Sequence, residues 1–141
     1  MITQEQKETL VIEAKKALNN RYPKSDNSVI YSAAVLTKTG QIYSASNYSS
    51  ETGSLTLHAE QSALAHAAAH GEGEIVAIAV TGTEDLKTGE FIPPCHMCKQ
   101  LLWESRLNSN VPMLIILANN HDEVKEVDLD EMMPFPWPAK P

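Results

Sequence analysis

Two short segments of this 141-residue chain carry side chains that could run a reaction: His58-Ala59-Glu60 and Pro93-Pro94-Cys95-His96-Met97-Cys98. They supply one imidazole, two thiols and one carboxylate, the set for a three-ligand zinc with an open coordination position and a proton carrier beside it. Those are the parts of a hydrolase that activates water. Cys95 and Cys98 lie three residues apart behind Pro94, which suits a helix start, so both sulfurs can face one point from a first helical turn. His58 and Glu60 fall at the start of an alanine-rich stretch. Residues i and i+2 do not face the same way on a helix, so Glu60 is expected outside the coordination shell, moving protons. If the two helix starts converge, their unsatisfied amides and dipoles should lower the thiol pKa values.

The elements that must position these groups follow from periodicity. Thr3 with Gln6 is a capping box, and Leu10, Val11, Ala14 and Leu18 recur at helical spacing to about Asn20. Arg21 to Ser28, with Pro23, reads as a loop; Val29 to Leu36 and Gln41 to Ser46 flank the turn Lys38-Thr39-Gly40 as a hairpin. Asn47 to Ser54 is loop-like, and the alanines from Leu57 to His70 predict a helix that begins near His58 and stops at Gly71. Ile75 to Thr81 and Met113 to Ala118 are continuous apolar runs of strand length, with a helix between them over Cys95 to Leu107. A last helix is predicted around Leu129 to Met133, stopped by Pro134. This alternation predicts an α/β sandwich in one domain, residues 1–141.

A chain of this length buries roughly two-thirds of its unfolded surface, so any metal is expected to be functional rather than structural. The formal net charge is -7 and the basic residues are scattered, which argues against a nucleic-acid polymer as partner. Two cysteines separated by two residues are no secreted disulfide framework, and neither a signal peptide nor a membrane-length apolar run is visible. A cytoplasmic protein with no membrane contact is expected.

On spacing alone, other readings stay open. Cys-x-x-Cys at a helix start is also a thioredoxin-like redox motif, which would leave His58-Ala59-Glu60 without a role. His66 and His70, four apart, could close a structural zinc site with Cys95 and Cys98, leaving a zinc-stabilised binding protein without catalysis; the simpler reading puts both imidazoles on the surface or at a subunit contact. His96 points away from the cysteines and His121 sits in a surface turn.

The pattern His-x-Glu followed by Pro-Cys-x-x-Cys resembles the zinc deaminase signature. With the N-terminal helix, Ala33-Ala34 in the hairpin, Asn47 before the first motif and Gln100 after the second, the chain looks like the small cytidine deaminases, from about Ser28 to Pro134. That resemblance implies a three-layer α/β/α sandwich with a central mixed sheet of about five strands and helices on both faces. It implies one zinc per subunit on His58, Cys95 and Cys98, and Glu60 carrying protons to N3 and to the departing amine as a cytosine nucleoside becomes the uracil nucleoside and ammonia. It implies substrate contacts from Val29, Asn47, Ser49 and the Ala59 backbone, a C-terminal aromatic, Phe135 or Trp137, closing over the base, in some family members from a neighbouring subunit, with ordinary packing of the proline-rigid tail as the alternative, and a homotetramer or homodimer. The chain departs from the family where Ser49 replaces a ribose-holding Glu, Gly53 a common Tyr, Val29 a Phe and Lys99 an Arg. The sugar site is therefore altered unless Glu51 supplies the carboxylate. Thr52-Gly53-Ser54 is similar to blasticidin S deaminase, so a modified cytosine nucleoside is the alternative substrate.

Overall fold

The computed structural model describes residues 1–25 and 28–141. Helix α1 (Gln4–Ala17) opens with the predicted capping box: the Gln6 N–H donates to Thr3 Oγ1 at 3.1 Å and the Thr3 N–H to Gln6 Oε1 at 3.0 Å. A 3-10 turn, Leu18–Asn20, carries it to the predicted end. Strands β1 (Tyr31–Thr37) and β2 (Ile42–Ser46) form the hairpin, followed by α2 (Ala59–Ala69), β3 (Ile75–Gly82), α3 (His96–Ser109) and β4 (Leu114–Ala118). Two expectations are corrected, and a fifth strand completes the expected sheet of about five. β1 starts at Tyr31, leaving Val29 in the loop before it. A further strand, β5 (Val124–Asp128), pairs antiparallel with β4 as a charged and largely exposed edge, without the apolar pattern that marks a buried strand. The last predicted helix is a 3-10 turn of four residues, Leu129–Met132, bound to α3 by the Arg106–Asp130 ion pair at 3.1 Å.

The sheet order is β2-β1-β3-β4-β5, with β3 and β4 parallel and the other adjacent strand pairs antiparallel. A parallel pair needs a crossover, and α3 is that crossover. Side chains alternate between the two faces. Ala33, Val35, Ile78, Val80, Ile115 and Leu117 meet Ala63 and Ala67 of α2 and Leu102 and Trp103 of α3; Ala34, Leu36, Ala77, Ala79 and Ile116 meet Leu10 and Ala14 of α1. Both faces are covered, giving the three-layer α/β/α sandwich, and explaining why β3 and β4 read as unbroken apolar runs.

One feature of this sheet positions the motifs. β1 runs antiparallel to β2 and to β3, so β2 and β3 point the same way and the helices that follow them start at the same end of the sheet. Tyr31 faces Gly82 across the β1–β3 ladder at that end. A Cβ on Gly82 would stand 2.8 Å from Tyr31 Cδ1 and 3.2 Å from the Ile30 carbonyl oxygen, so a larger residue forces the ring or the backbone aside. Gly82→Ala is expected to destabilise the fold by about 1–3 kcal/mol, read as a lowered denaturant midpoint with unchanged m-value.

Candidate active site

His58 is the N-cap of α2 and Cys95 the N-cap of α3, both in extended backbone conformation before the helix begins. Each cap is locally secured: the His58 N–H donates to Gln61 Oε1 at 2.8 Å, and the Cys98 N–H, one of the helix-start amides without an intrahelical partner, donates to Cys95 Sγ at 3.5 Å. The convergence expected of the two starts is present. His58 Nδ1 lies 3.4 Å from Cys95 Sγ and 3.3 Å from Cys98 Sγ, and the three ligand atoms all fall within 4.8 Å of one another. For zinc held tetrahedrally at ordinary Zn–S and Zn–N lengths, nitrogen and sulfur ligands sit roughly 3.5 Å apart, so this donor set fits a zinc ion. Among the described residues, His58, Cys95 and Cys98 are the group that could hold a metal; His66 and His70 are not part of it. Those two rings instead cluster with Tyr43, at centroid distances of 5.1 and 4.9 Å, and His66 Nδ1 lies 3.0 Å from the Ser44 carbonyl oxygen.

Glu60 sits one residue into α2, 8 % exposed, with its carboxylate near the Cys98 thiol. Burial pushes its pKa up, against opposing pulls from its own backbone N–H, His58 and Cys98. Burial also pushes the Cys98 thiol far above its ordinary range, and the Glu60 charge adds to that. This reverses the expectation that helix dipoles lower it: at the buried sulfur, desolvation outweighs the fractional charge of a helix terminus. A bound cation changes the balance, since a coordinating thiol is deprotonated outright.

A cavity of about 730 Å³ opens onto this group and is lined by Val29, Asn47, Ser49, Ala59 and Glu60 among the predicted residues, and also by Glu51. Asn47 is largely committed. Its Oδ1 accepts the Tyr31 N–H at 3.3 Å and its Nδ2 donates to Ser49 Oγ at 2.6 Å, leaving one amide hydrogen for a ligand. Phe135 and Trp137 are not at this cavity. The two residues are 99 % and 79 % exposed, because the tail is fixed to α3 through its carbonyls: Gln100 Nε2 donates to the Trp137 oxygen and Trp103 Nε1 to the Pro138 oxygen, both at 2.8 Å. Sequence reasoning gave no site role to Tyr31 and Ile92 on the cavity wall. Tyr31 falls inside the segment read as a strand, Val29 to Leu36, whereas Ile92 comes from a loop with no signal.

Comparison with known proteins agrees with this geometry. Residues 4–114 match the family model described as the cytidine and deoxycytidylate deaminase zinc-binding region. A cytidine deaminase from Halalkalibacterium halodurans is 30 % identical over 108 residues, 77 % of this chain and 76 % of that protein. A blasticidin-S deaminase from Bacillus cereus is 26 % identical over 116 residues, 79 % of each. The crystal structure of a cytidine deaminase from Burkholderia pseudomallei superposes with a TM-score of 0.79 at 28 % identity, covering 96 % of this chain and 100 % of that one. The His-x-Glu and Pro-Cys-x-x-Cys segments, brought together at two helix starts inside the matched region, belong to a chain that is a member of the cytidine and deoxycytidylate deaminase zinc-binding family.

Proposed function

We propose that the protein is a zinc-dependent aminohydrolase that converts a free cytosine nucleoside, cytidine or deoxycytidine, to the uracil nucleoside and ammonia. The observation that carries this reading is the buried Glu60 carboxylate beside, but outside, the His58, Cys95, Cys98 group. His58, Cys95 and Cys98 hold the metal, which when bound supplies Lewis acidity and brings the pKa of water toward neutrality. Glu60 takes the proton that water gives up as its oxygen bonds to C4 and passes it to ring N3; it then takes the remaining proton from the C4 hydroxyl and gives it to the amine, so that the C4–N bond breaks as the C4 carbonyl forms. A carboxyl raised by burial is better matched to this task near neutral pH than an exposed one. The Ala59 backbone, at the foot of the cavity, orients the pyrimidine, and Val29 supplies an apolar wall.

At the sugar end, Asn47 and Ser49 offer donors and Glu51 an acceptor. The absence of the family's ribose-holding Glu at position 49, together with the blasticidin-S deaminase likeness, favours a modified cytosine nucleoside as the second reading. We also infer a homotetramer, with a homodimer as the alternative. Ala65, Ala68 and Ala69 on the outer face of α2 let another copy approach closely, and Phe135 and Trp137 present a large apolar area for burial. We infer a cytoplasmic enzyme of nucleoside salvage; among the described residues no helix is long and apolar enough to cross a membrane.

Glu60→Gln should retain zinc while losing about 10²–10⁴-fold in kcat for ammonia release from cytidine, whereas Cys98→Ala should lose the metal, both read by metal analysis beside kinetics. Full activity of Glu60→Gln would sink the mechanism. In a screen of cytosine, cytidine, deoxycytidine, N4- and 5-substituted cytidines and blasticidin S, the unmodified nucleosides are expected to react and the free base to fail. Glu51→Ala is expected to lower kcat/KM for cytidine by about 10–100-fold, the value of a hydrogen bond to a charged group. Light scattering should give four times the 15.5 kDa chain mass.

A further inference from the structure

Tyr31 is held from three sides at the mouth of β1. Its N–H donates to Asn47 Oδ1, its ring lies against the space a Cβ on Gly82 would need, and its hydroxyl donates to the Glu84 carboxylate. The ring is thereby a partition. Tyr31 and Glu60 both line the large cavity, and both line a second cavity of about 30 Å³, shared with Glu84, that has room for water. A phenol with one O–H to donate therefore shares both cavities with the carboxylate proposed to carry protons. A bond from that hydroxyl to Glu60 would be charge-assisted and strong, and would occupy an oxygen the reaction needs. Glu84 supplies a competing acceptor. Its loop is buckled to the turn after β4: buried Asn119 donates to the Glu90 carbonyl at 3.1 Å and to Glu123 Oε1 at 2.8 Å, and that same oxygen accepts the Gly89 N–H at 2.8 Å. Burial and the Glu84 bond push the Tyr31 hydroxyl up to about 12, with a smaller contribution from the charge of Glu60, so it stays a donor at any working pH.

We propose that Glu84 is a positioning residue: by taking the Tyr31 hydroxyl, it keeps that donor off Glu60 and leaves the Glu60 carboxylate free for the substrate. This rests on the assignment of Glu60 as proton carrier. The test compares wild type, Glu84→Gln, Glu84→Ala and the double variant Glu84→Ala/Tyr31→Phe in ammonia release from cytidine, with zinc content and denaturation midpoints measured on each. Glu84→Ala should lose about tenfold in kcat with KM little changed, as expected when a proton carrier is partly tied up. Glu84→Gln, whose amide oxygen still accepts, should stay near wild type. The double variant, having no hydroxyl to redirect, should recover most of the lost kcat. A structural role would leave the double variant as impaired as the single one, and that result, or undiminished kcat in Glu84→Ala, overturns the proposal. If the wild type releases no ammonia from any cytosine nucleoside, the assigned function fails, and ultraviolet titration of tyrosine ionisation decides the present point separately. A late-titrating tyrosine that is present in wild type, lost in Tyr31→Phe, and titrates earlier when Glu84→Ala is combined with Glu60→Gln upholds the Glu84–Tyr31 lock, and one that is absent, or unmoved in that double variant, overturns it.

Discussion

The site depends on one constraint of strand direction: β1 runs antiparallel to both of its neighbours. Only then do β2 and β3 share a direction, and only then do the helices after them begin side by side. Each helix start contributes an outer and an inner group. The caps, His58 and Cys95, are half-buried and exposed, whereas Glu60 and Cys98, within the first turn, are buried. A cap residue keeps extended backbone angles, so its side chain projects past the helix end, while first-turn side chains fold back toward the core. One ligand group therefore spans the boundary between the hydrophobic interior and the open cavity. Moving either helix start by a residue would exchange an inner group for an outer one.

Burial of the inner pair sets the electrostatics. Glu60 and Cys98 are neighbours in a desolvated corner, and each is shifted toward its neutral form chiefly by that desolvation. A divalent cation offsets this cost at the sulfur, because two thiolates and an imidazole around it leave no net charge. The carboxylate has no such compensation, which suits a group that must gain and lose protons rather than remain ionised. The same burial thus makes one residue a good ligand only when metal is present and the other a good proton carrier.

Much of this was legible in the chain. The capping box, the hairpin, the alanine-rich helix and the two apolar strands rest on local rules of capping and periodicity, and those rules decide the elements that carry the motifs. Val124–Asp128 was not legible, since an exposed edge strand has no apolar alternation to betray it. Leu129–Met132 carried helical spacing in too short a segment to close more than one turn. Phe135 and Trp137 were drawn toward the site by resemblance, yet the carbonyls of the tail, rather than its rings, decide where it lies. Tyr31 and Glu84 are 53 residues apart and meet only through the β1–β3 ladder, a pairing that no local pattern announces.

The two ends of the cavity are built on different principles, and that accounts for where this chain departs from its relatives. At the reacting end every named group sits on a helix start backed by the sheet, so its geometry is inherited from the fold and a substitution there removes the chemistry. At the far end, Asn47, Ser49 and Glu51 lie on a loop tied by the Tyr48–Leu57 bridge and by the Ser50 N–H to Thr56 Oγ1 at 2.9 Å. A loop so held can exchange a carboxylate at one position for a neighbouring one without disturbing the metal-holding group. Because the acceptor oxygen of Asn47 is already used by Tyr31, recognition of a hydroxyl there must combine the remaining Asn47 and Ser49 hydrogens with an acceptor from elsewhere. In the function proposed above Glu51, which lines the same cavity two residues further along the loop, is that acceptor, and the exchange moves the sugar-recognising charge without moving the reaction.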